Sequence, residues 1–335
     1  MMTLYKRNPA FAFILLSFLF SWLIWISSPV LSFGREDVQR LLDMTGAFGP
    51  SLAAILITFK LEGRSLMPDI RLHLSIFLVT GSMIIFAMPS IFEMTYDIPS
   101  VLVGLILADV AAYVIGMAIK HRADIPLCSS AVSYKHHRRW IFIAALLFPA
   151  MVLVGSLIDH NLGGTVMTNY HFGGVLTNLL MMVLAIVVFA VFGGSIGEEL
   201  GWRGFLTSTL LENYNPILLG LFIGFVWSLW HVPLHFNGFY ETGSFETGVT
   251  DALVRFVWNV PLAVLFTWVY IRSKASVLLA IIMHTSVNAS QYVLPLSGGG
   301  IEIGMMIMIG FTVLVVFVDP LMRDGKKARH FLYKL

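Results

Sequence analysis

The sequence predicts an all-α, polytopic transmembrane helical bundle of about ten spans, within a range of about 8–10. Composition, the length of the apolar runs and the sorting of basic residues all lead there. The 335 residues are 58% hydrophobic and 12% charged, with a mean hydropathy of +0.84. A soluble domain is about 45–50% apolar and about 25% charged. An ordinary core could not hide this much apolar surface, so a disordered chain and a soluble enzyme are both excluded. The net charge of +2 gives no footprint for nucleic acid. Cys128 is the sole cysteine, which rules out an intrachain disulfide and a cysteine-based zinc site.

A bilayer-crossing helix needs about 20 mostly apolar residues. Runs of that kind fall near 9–32, 46–60, 73–92, 101–119, 140–158, 176–200, 216–235, 253–271, 276–294 and 301–318. The first follows Lys6 and Arg7, as a signal peptide would. It is too long for a cleaved h-region and no small-x-small site follows, so it reads as a retained span. The second is short and reads as tilted or re-entrant. With the N-terminus inside, 18 of the 21 Lys and Arg residues fall on inner segments, leaving Arg35, Arg40 and Arg255 outside. The expected product is an integral membrane protein of the plasma membrane with both termini cytoplasmic. Trp22, Trp25, Trp140 and Trp268 lie near span ends, where interface anchors belong. The inner loop 120–139 ends in Lys135-His136-His137-Arg138-Arg139, a patch suited to anionic headgroups, with metal binding by its histidines as the alternative.

A charge inside a bilayer costs about 2.5–3.5 kcal/mol on insertion scales and persists when paired or when it lines a wet cavity. The spans hold Asp109, Glu198, Glu199, Arg203, His231, His235, His284 and Asn288 against the trend. In Gly197-Glu198-Glu199-Leu200-Gly201-Trp202-Arg203, Glu199 and Arg203 are one helical turn apart and can pair. Glu198 points elsewhere and is available for chemistry. The competing reading is a surface salt bridge at the inner membrane edge. Gly193, Gly197 and Gly201 form a small-residue face that lets another helix come close. His231 sits in an apolar, aromatic run two residues before Pro233, which disturbs the helix and releases carbonyls near the histidine. A lone histidine there is ordinarily a packing residue, and His235 reads as interfacial. His284 and Asn288 share one helix face and can direct two donors at one point, as a developing oxyanion requires. A helix–helix hydrogen-bond pair is the plain alternative. Asp109 reads as a structural hydrogen-bonding group or a cavity-lining one.

Taken together, the groups make a plausible hydrolytic site. Glu198 and His231 could deprotonate a water while His284 and Asn288 stabilise a tetrahedral oxyanion. Glu198, His231, His284 and a water could equally bind zinc. Along a straight helix Glu198 lies about 7 Å from Arg203. For Glu198 to reach His231, Arg203 must be drawn inward or the following helix must begin below the membrane plane. An interfacial helix over 204–215 would permit either.

The order Glu198-Glu199-x-x-x-Arg203, then His231, then His284-x-x-x-Asn288 resembles the CPBP intramembrane protease family, also called Abi. It includes the CAAX prenyl endopeptidases and bacteriocin-processing and self-immunity proteins. Its motifs are E-E-x-x-x-R, F-x-x-x-H and H-x-x-x-N. The first and third are met in full, while the second has Trp227 in place of Phe. The resemblance covers about 180–294 and divides the chain into motif-free helices over 1–172, a CPBP-like core over 173–294, and a last span with a basic tail over 295–335. It implies an intramembrane endopeptidase in which Glu198 and His231 activate the water, His284 and Asn288 form the oxyanion hole, and Glu199, Arg203 and Trp227 support them. The favoured form needs no cofactor, there being no H-E-x-x-H, with a zinc enzyme as the alternative. The implied partners are the lipid bilayer and a membrane-embedded or lipidated peptide or protein substrate. A membrane transporter and a non-catalytic self-immunity or scaffold protein are the competing functions. The chain lacks the inverted repeats expected of many transporters.

Overall fold

A computed structural model describes residues 7–63, 65–121, 134–166, 175–240 and 243–333. Lys6, Arg64, Arg122, Cys128 and Lys334 lie outside them, as do the side chains of Lys135, His136 and His137. The described residues are helical, without strands. Among the described residues, eight helical segments are long and apolar enough to cross a membrane, and Pro216–Trp230 and Val277–Val293 are shorter apolar helices. The protein is therefore a polytopic membrane protein. It divides into two compact units, one of residues 1–127, 191–209 and 226–255, the other of 128–190, 210–225 and 256–335.

The first unit is built on α1 (Pro9–Leu31), α2 (Glu36–Gly46) and α3 (Gly49–Glu62), with α1 packed on both of the others. Asn8 caps α1 by accepting the Phe11 N–H at 3.1 Å, with Pro9 in the first turn. The expected short second span is corrected here. Helical structure extends back to Glu36, so Glu36–Glu62 is one membrane-length segment interrupted at Ala47–Phe48, where Pro50 in the first turn of α3 starts a new helix. Arg40, assigned to an outer connection, lies in α2. The freed Gly46 carbonyl is taken by the Ser21 hydroxyl at 2.8 Å. A π-helical segment, Met83–Ala87, joins α4 (Ile70–Ser82) to α5 (Met88–Phe92). α6 (Ile98–Lys120) opens with a capping box between Asp97 and Ser100. Asp109, on α6, is hydrogen-bonded to His73 Nε2 of α4 at 2.9 Å.

In the second unit, α7 (Tyr134–Asn161) packs on α13 (Val277–Val293) and α14 (Gly298–Val318). Its contact with α14 depends on small residues, since a Cβ on Gly155 would stand 2.2 Å from the Gly300 carbonyl oxygen. α8 (Val175–Phe192) lies almost wholly in this unit.

The run 176–200, read as one span, is broken. α8 stops at Phe192, Gly194 adopts φ +93°, and α9 (Ser195–Gly201) starts afresh. A π-helical stretch, Trp202–Thr207, then leads into α10 (Ser208–Leu211). The interfacial helix expected over 204–215 is thus not a separate element, because 204–211 continues the helix that carries Glu198. Arg203 is drawn fully inward instead. α11 (Pro216–Trp230) ends in a 3₁₀ turn, Val232–His235, begun by Pro233 as its missing N–H dictates. α12 (Phe245–Arg272) follows, and α15 (Pro320–Arg323) and α16 (Gly325–Tyr333) close the chain.

Two of the interface assignments are also corrected. Trp25 is buried in the first unit and Trp140 in the second, where it meets Trp268 edge-on at 5.0 Å. Aromatic residues near span ends are equally good packing material.

The glycine face of α9 meets α3. A Cβ on Gly197 would lie 2.8 Å from the Ala47 carbonyl oxygen, and one on Gly201 would lie 2.6 Å from Pro50. Replacing Gly201 with Leu is expected to force α9 off α3 and to lower the unfolding midpoint in detergent. Gly310, whose Cβ position is open, should accept Ala with no such loss.

Candidate active site

Five of the singled-out residues gather in the first unit. Glu198, Glu199, Arg203 and His231 are 4%, 0%, 0% and 6% exposed, which excludes a surface salt bridge at the membrane edge. Glu199 Oε1 accepts from Arg203 Nη1 at 2.9 Å across one turn. The guanidinium also lies over the Trp227 ring, 5.1 Å from its centroid. Removing either member of such a buried pair would leave a charge stranded, at a cost of about 3–5 kcal/mol.

Glu198 makes a different hydrogen bond from its neighbour. Its Oε2 accepts the Trp227 indole N–H at 2.5 Å. Its own N–H donates to the Gly194 carbonyl at 2.7 Å, and the carboxylate curls back over that glycine. A Cβ at Gly194 would stand 2.4 Å from Glu198 Oε1, so both the positive φ and the carboxylate exclude a side chain there.

His231 is the first residue past α11. Its N–H donates to the Ser228 carbonyl at 3.1 Å, not to that of Trp227 as a continuing α-helix would. The Trp227 carbonyl is engaged instead by His231 Nδ1 at 2.7 Å. A carbonyl can only accept, so Nδ1 carries a proton. Trp227 thereby holds the carboxylate through its indole and the imidazole through its backbone. Trp230 packs edge-on to His231 at 4.7 Å, and Trp25 lies nearly parallel to the same ring at 6.4 Å. The Trp230 carbonyl, released by the helix end, accepts Trp22 Nε1 at 2.9 Å.

His235 is buried. Its Nε2 accepts from Arg255 Nε at 3.1 Å, and the Arg255 guanidinium lies 4.5 Å from the Tyr240 ring centroid. Burial first, and the Arg255 charge second, push the His235 imidazole down to about 4. Burial also raises the Tyr240 hydroxyl; Arg255 opposes that, while the Glu198 and Asp43 carboxylates add to it, so Tyr240 stays protonated beside the site.

His284 and Asn288 belong to the second unit. They occupy successive turns of α13, whose start is capped by Ser276, and the His284 ring is edge-on to Phe266 at 6.0 Å. Among the described residues, no three of His, Cys, Asp and Glu are gathered so as to hold a metal ion.

Sequence reasoning missed three contributors. Gly194 was signalled by the Gly193-Gly194 doublet inside an apolar run. Asp43 was read as part of an outer connection, and Asn237 carried no motif.

The chain is similar to known proteins over this region. Residues 177–290 match the model of the Rce1-like family, described as type II CAAX prenyl endopeptidase Rce1-like. Over 179 residues the chain is 28% identical to CAAX prenyl protease 2 of Methanococcus maripaludis, covering 52% of this chain and 64% of that relative. The matched stretch holds every residue of the three motifs, while α1 to α6 lie outside it.

Two outcomes follow from this geometry. Gly194→Ala is expected to cost about 1–3 kcal/mol in backbone strain and to displace the Glu198 carboxylate, read as a lower unfolding midpoint in detergent. His235 refuses a proton in the folded chain that it accepts below about pH 6.5 when unfolded. Its contribution to stability is therefore intact at neutral pH and declines as pH falls from about 6.5 toward about 4. The midpoint difference between pH 7.5 and 5 should be smaller in His235→Gln than in the parent chain.

Proposed function

We propose that this chain is an intramembrane endopeptidase. It hydrolyses a peptide bond in a membrane-associated protein or peptide, using water activated by Glu198 and His231. The observation that supports this most directly is the double grip of Trp227, with its indole on the Glu198 carboxylate and its carbonyl on His231 Nδ1. That grip fixes a carboxylate on α9 and an imidazole just past the end of α11, the two groups that take up a proton from a hydrolytic water in this reading. The water gives up a proton to this pair as its oxygen bonds to the scissile carbonyl carbon. The C–N bond of the tetrahedral intermediate then breaks, and the proton is returned to the departing amine. His284 and Asn288 donate hydrogen bonds to the oxyanion in this reading, and Glu199 with Arg203 holds α9 in register with α11.

The names of the matched family and the archaeal relative both refer to prenyl CAAX processing, and the substrate class proposed here is correspondingly a lipidated or membrane-embedded peptide. The favoured mechanism requires no metal. The deciding assay is cleavage of tagged peptides, prenylated and unmodified, by purified protein in liposomes with and without chelator. Glu198→Ala and His231→Ala are each expected to reduce kcat by about 10²–10⁴-fold, with chelator having no effect. Full activity in both variants would overturn the proposal, whereas loss on chelation with recovery on added zinc would replace it with the zinc form.

A further inference from the structure

A third buried carboxylate lies in the first unit, outside the residues matched to the family. Asp43, on α2, is 2% exposed. Its Oδ1 accepts the Ser28 hydroxyl at 2.6 Å and the Asn237 side-chain amide at 2.9 Å. Its backbone carbonyl accepts the Trp25 indole N–H at 2.8 Å. Asn237 lies just past the 3₁₀ turn that follows His231 and is tied down from several sides. Its amide also reaches the Trp25 carbonyl at 3.2 Å, its Oδ1 accepts the Phe239 N–H at 3.0 Å, and its backbone carbonyl accepts Gln39 Nε2.

These bonds meet His231 from two directions. On one side, Trp25, anchored by Asp43, lies against Trp230 at 4.5 Å and nearly parallel to the His231 ring at 6.4 Å. On the other, Asn237 fixes the exit of the turn that begins at His231. The helix end bearing His231 cannot hold itself, because Pro233 lacks an N–H and the α-helical pattern stops at Trp230. A single residue engages both fixing points, Asn237 through its carboxylate and Trp25 through its backbone carbonyl, and a carboxylate in a bilayer persists only when it is engaged.

We infer that Asp43 is a positioning residue for His231, acting through Trp25 and Asn237, and that the α1–α2 hairpin is the backing of the catalytic histidine. The inference rests on the reading of His231 as a water-activating group. A small displacement suffices to matter, since about 1 Å of misplacement can cost about 10²-fold in rate.

The test compares kcat and KM, per folded molecule, for full-length variants in liposomes. Asp43→Ala removes the acceptor, and Asn237→Asp sets two carboxylates against each other. Each is expected to lower kcat by about 10–100-fold with KM unchanged. The exchanged pair Asp43→Asn with Asn237→Asp rebuilds an amide–carboxylate bond and should recover most of the lost kcat, which a general loss of stability would not do. Nitrogen-15 NMR of histidine-labelled protein should show the Nδ1-protonated His231 tautomer in the parent and exchanged chains and its loss in Asn237→Asp. If Asp43→Ala does not fold, Ser28→Ala, which removes one bond to the same oxygen, replaces it with a several-fold loss expected. Parental kcat in the single variants, or no recovery in the exchanged pair, would overturn the inference while inactive His231→Ala leaves the hydrolytic reading standing. Active His231→Ala would remove both.

Discussion

Trp227 is the residue on which the first unit turns. Its indole N–H and its backbone carbonyl serve two different groups, a carboxylate from α9 and an imidazole from the end of α11. Neither group could sit where it does within a bilayer without such a partner, because an unsatisfied polar group there is costly. The face of the same ring receives the Arg203 guanidinium, whose charge is matched by Glu199. One aromatic residue thus engages a carboxylate, a guanidinium and an imidazole.

Such an arrangement needs helices that stop in the right places. An unbroken α-helix engages each of its carbonyls with a backbone N–H, and only a helix end frees one entirely. Here the chain breaks at Gly194, at Ala47–Phe48 and after Trp230, and each break supplies something specific. The first lets the Glu198 carboxylate curl over a residue without a Cβ. The second gives the Gly46 carbonyl to Ser21, next to the glycine contact between α3 and α9. The third gives the Trp227 carbonyl to His231 and the Trp230 carbonyl to Trp22. Backbone irregularity within a membrane protein is tolerated where protein groups satisfy it, and these sites obey that rule.

The charges within the apolar runs were the legible part of the site. Glu198, Glu199, Arg203 and His231 stood out because each is costly in a bilayer and demands a reason. The Trp227 grip was not legible, because a tryptophan four residues before a histidine on an apolar helix looks like packing. Asp43 was hidden for a different reason. The polar stretch 35–45 reads as a connection when judged by hydropathy alone, and only its packing against α1 makes it part of a span.

By itself the sequence determined that this chain lives in a membrane, that it is helical, and which ionisable residues demand explanation. Those facts follow from composition and from a period of about 3.6 residues, both local properties. The tertiary structure alone decided how the helices break, that Arg203 is drawn inward, and that a hairpin far upstream backs His231. These depend on hydrogen bonds between residues such as Asp43 and Asn237, 194 positions apart. Such a bond leaves no periodic trace in the chain and comes into being only when folding brings its ends together.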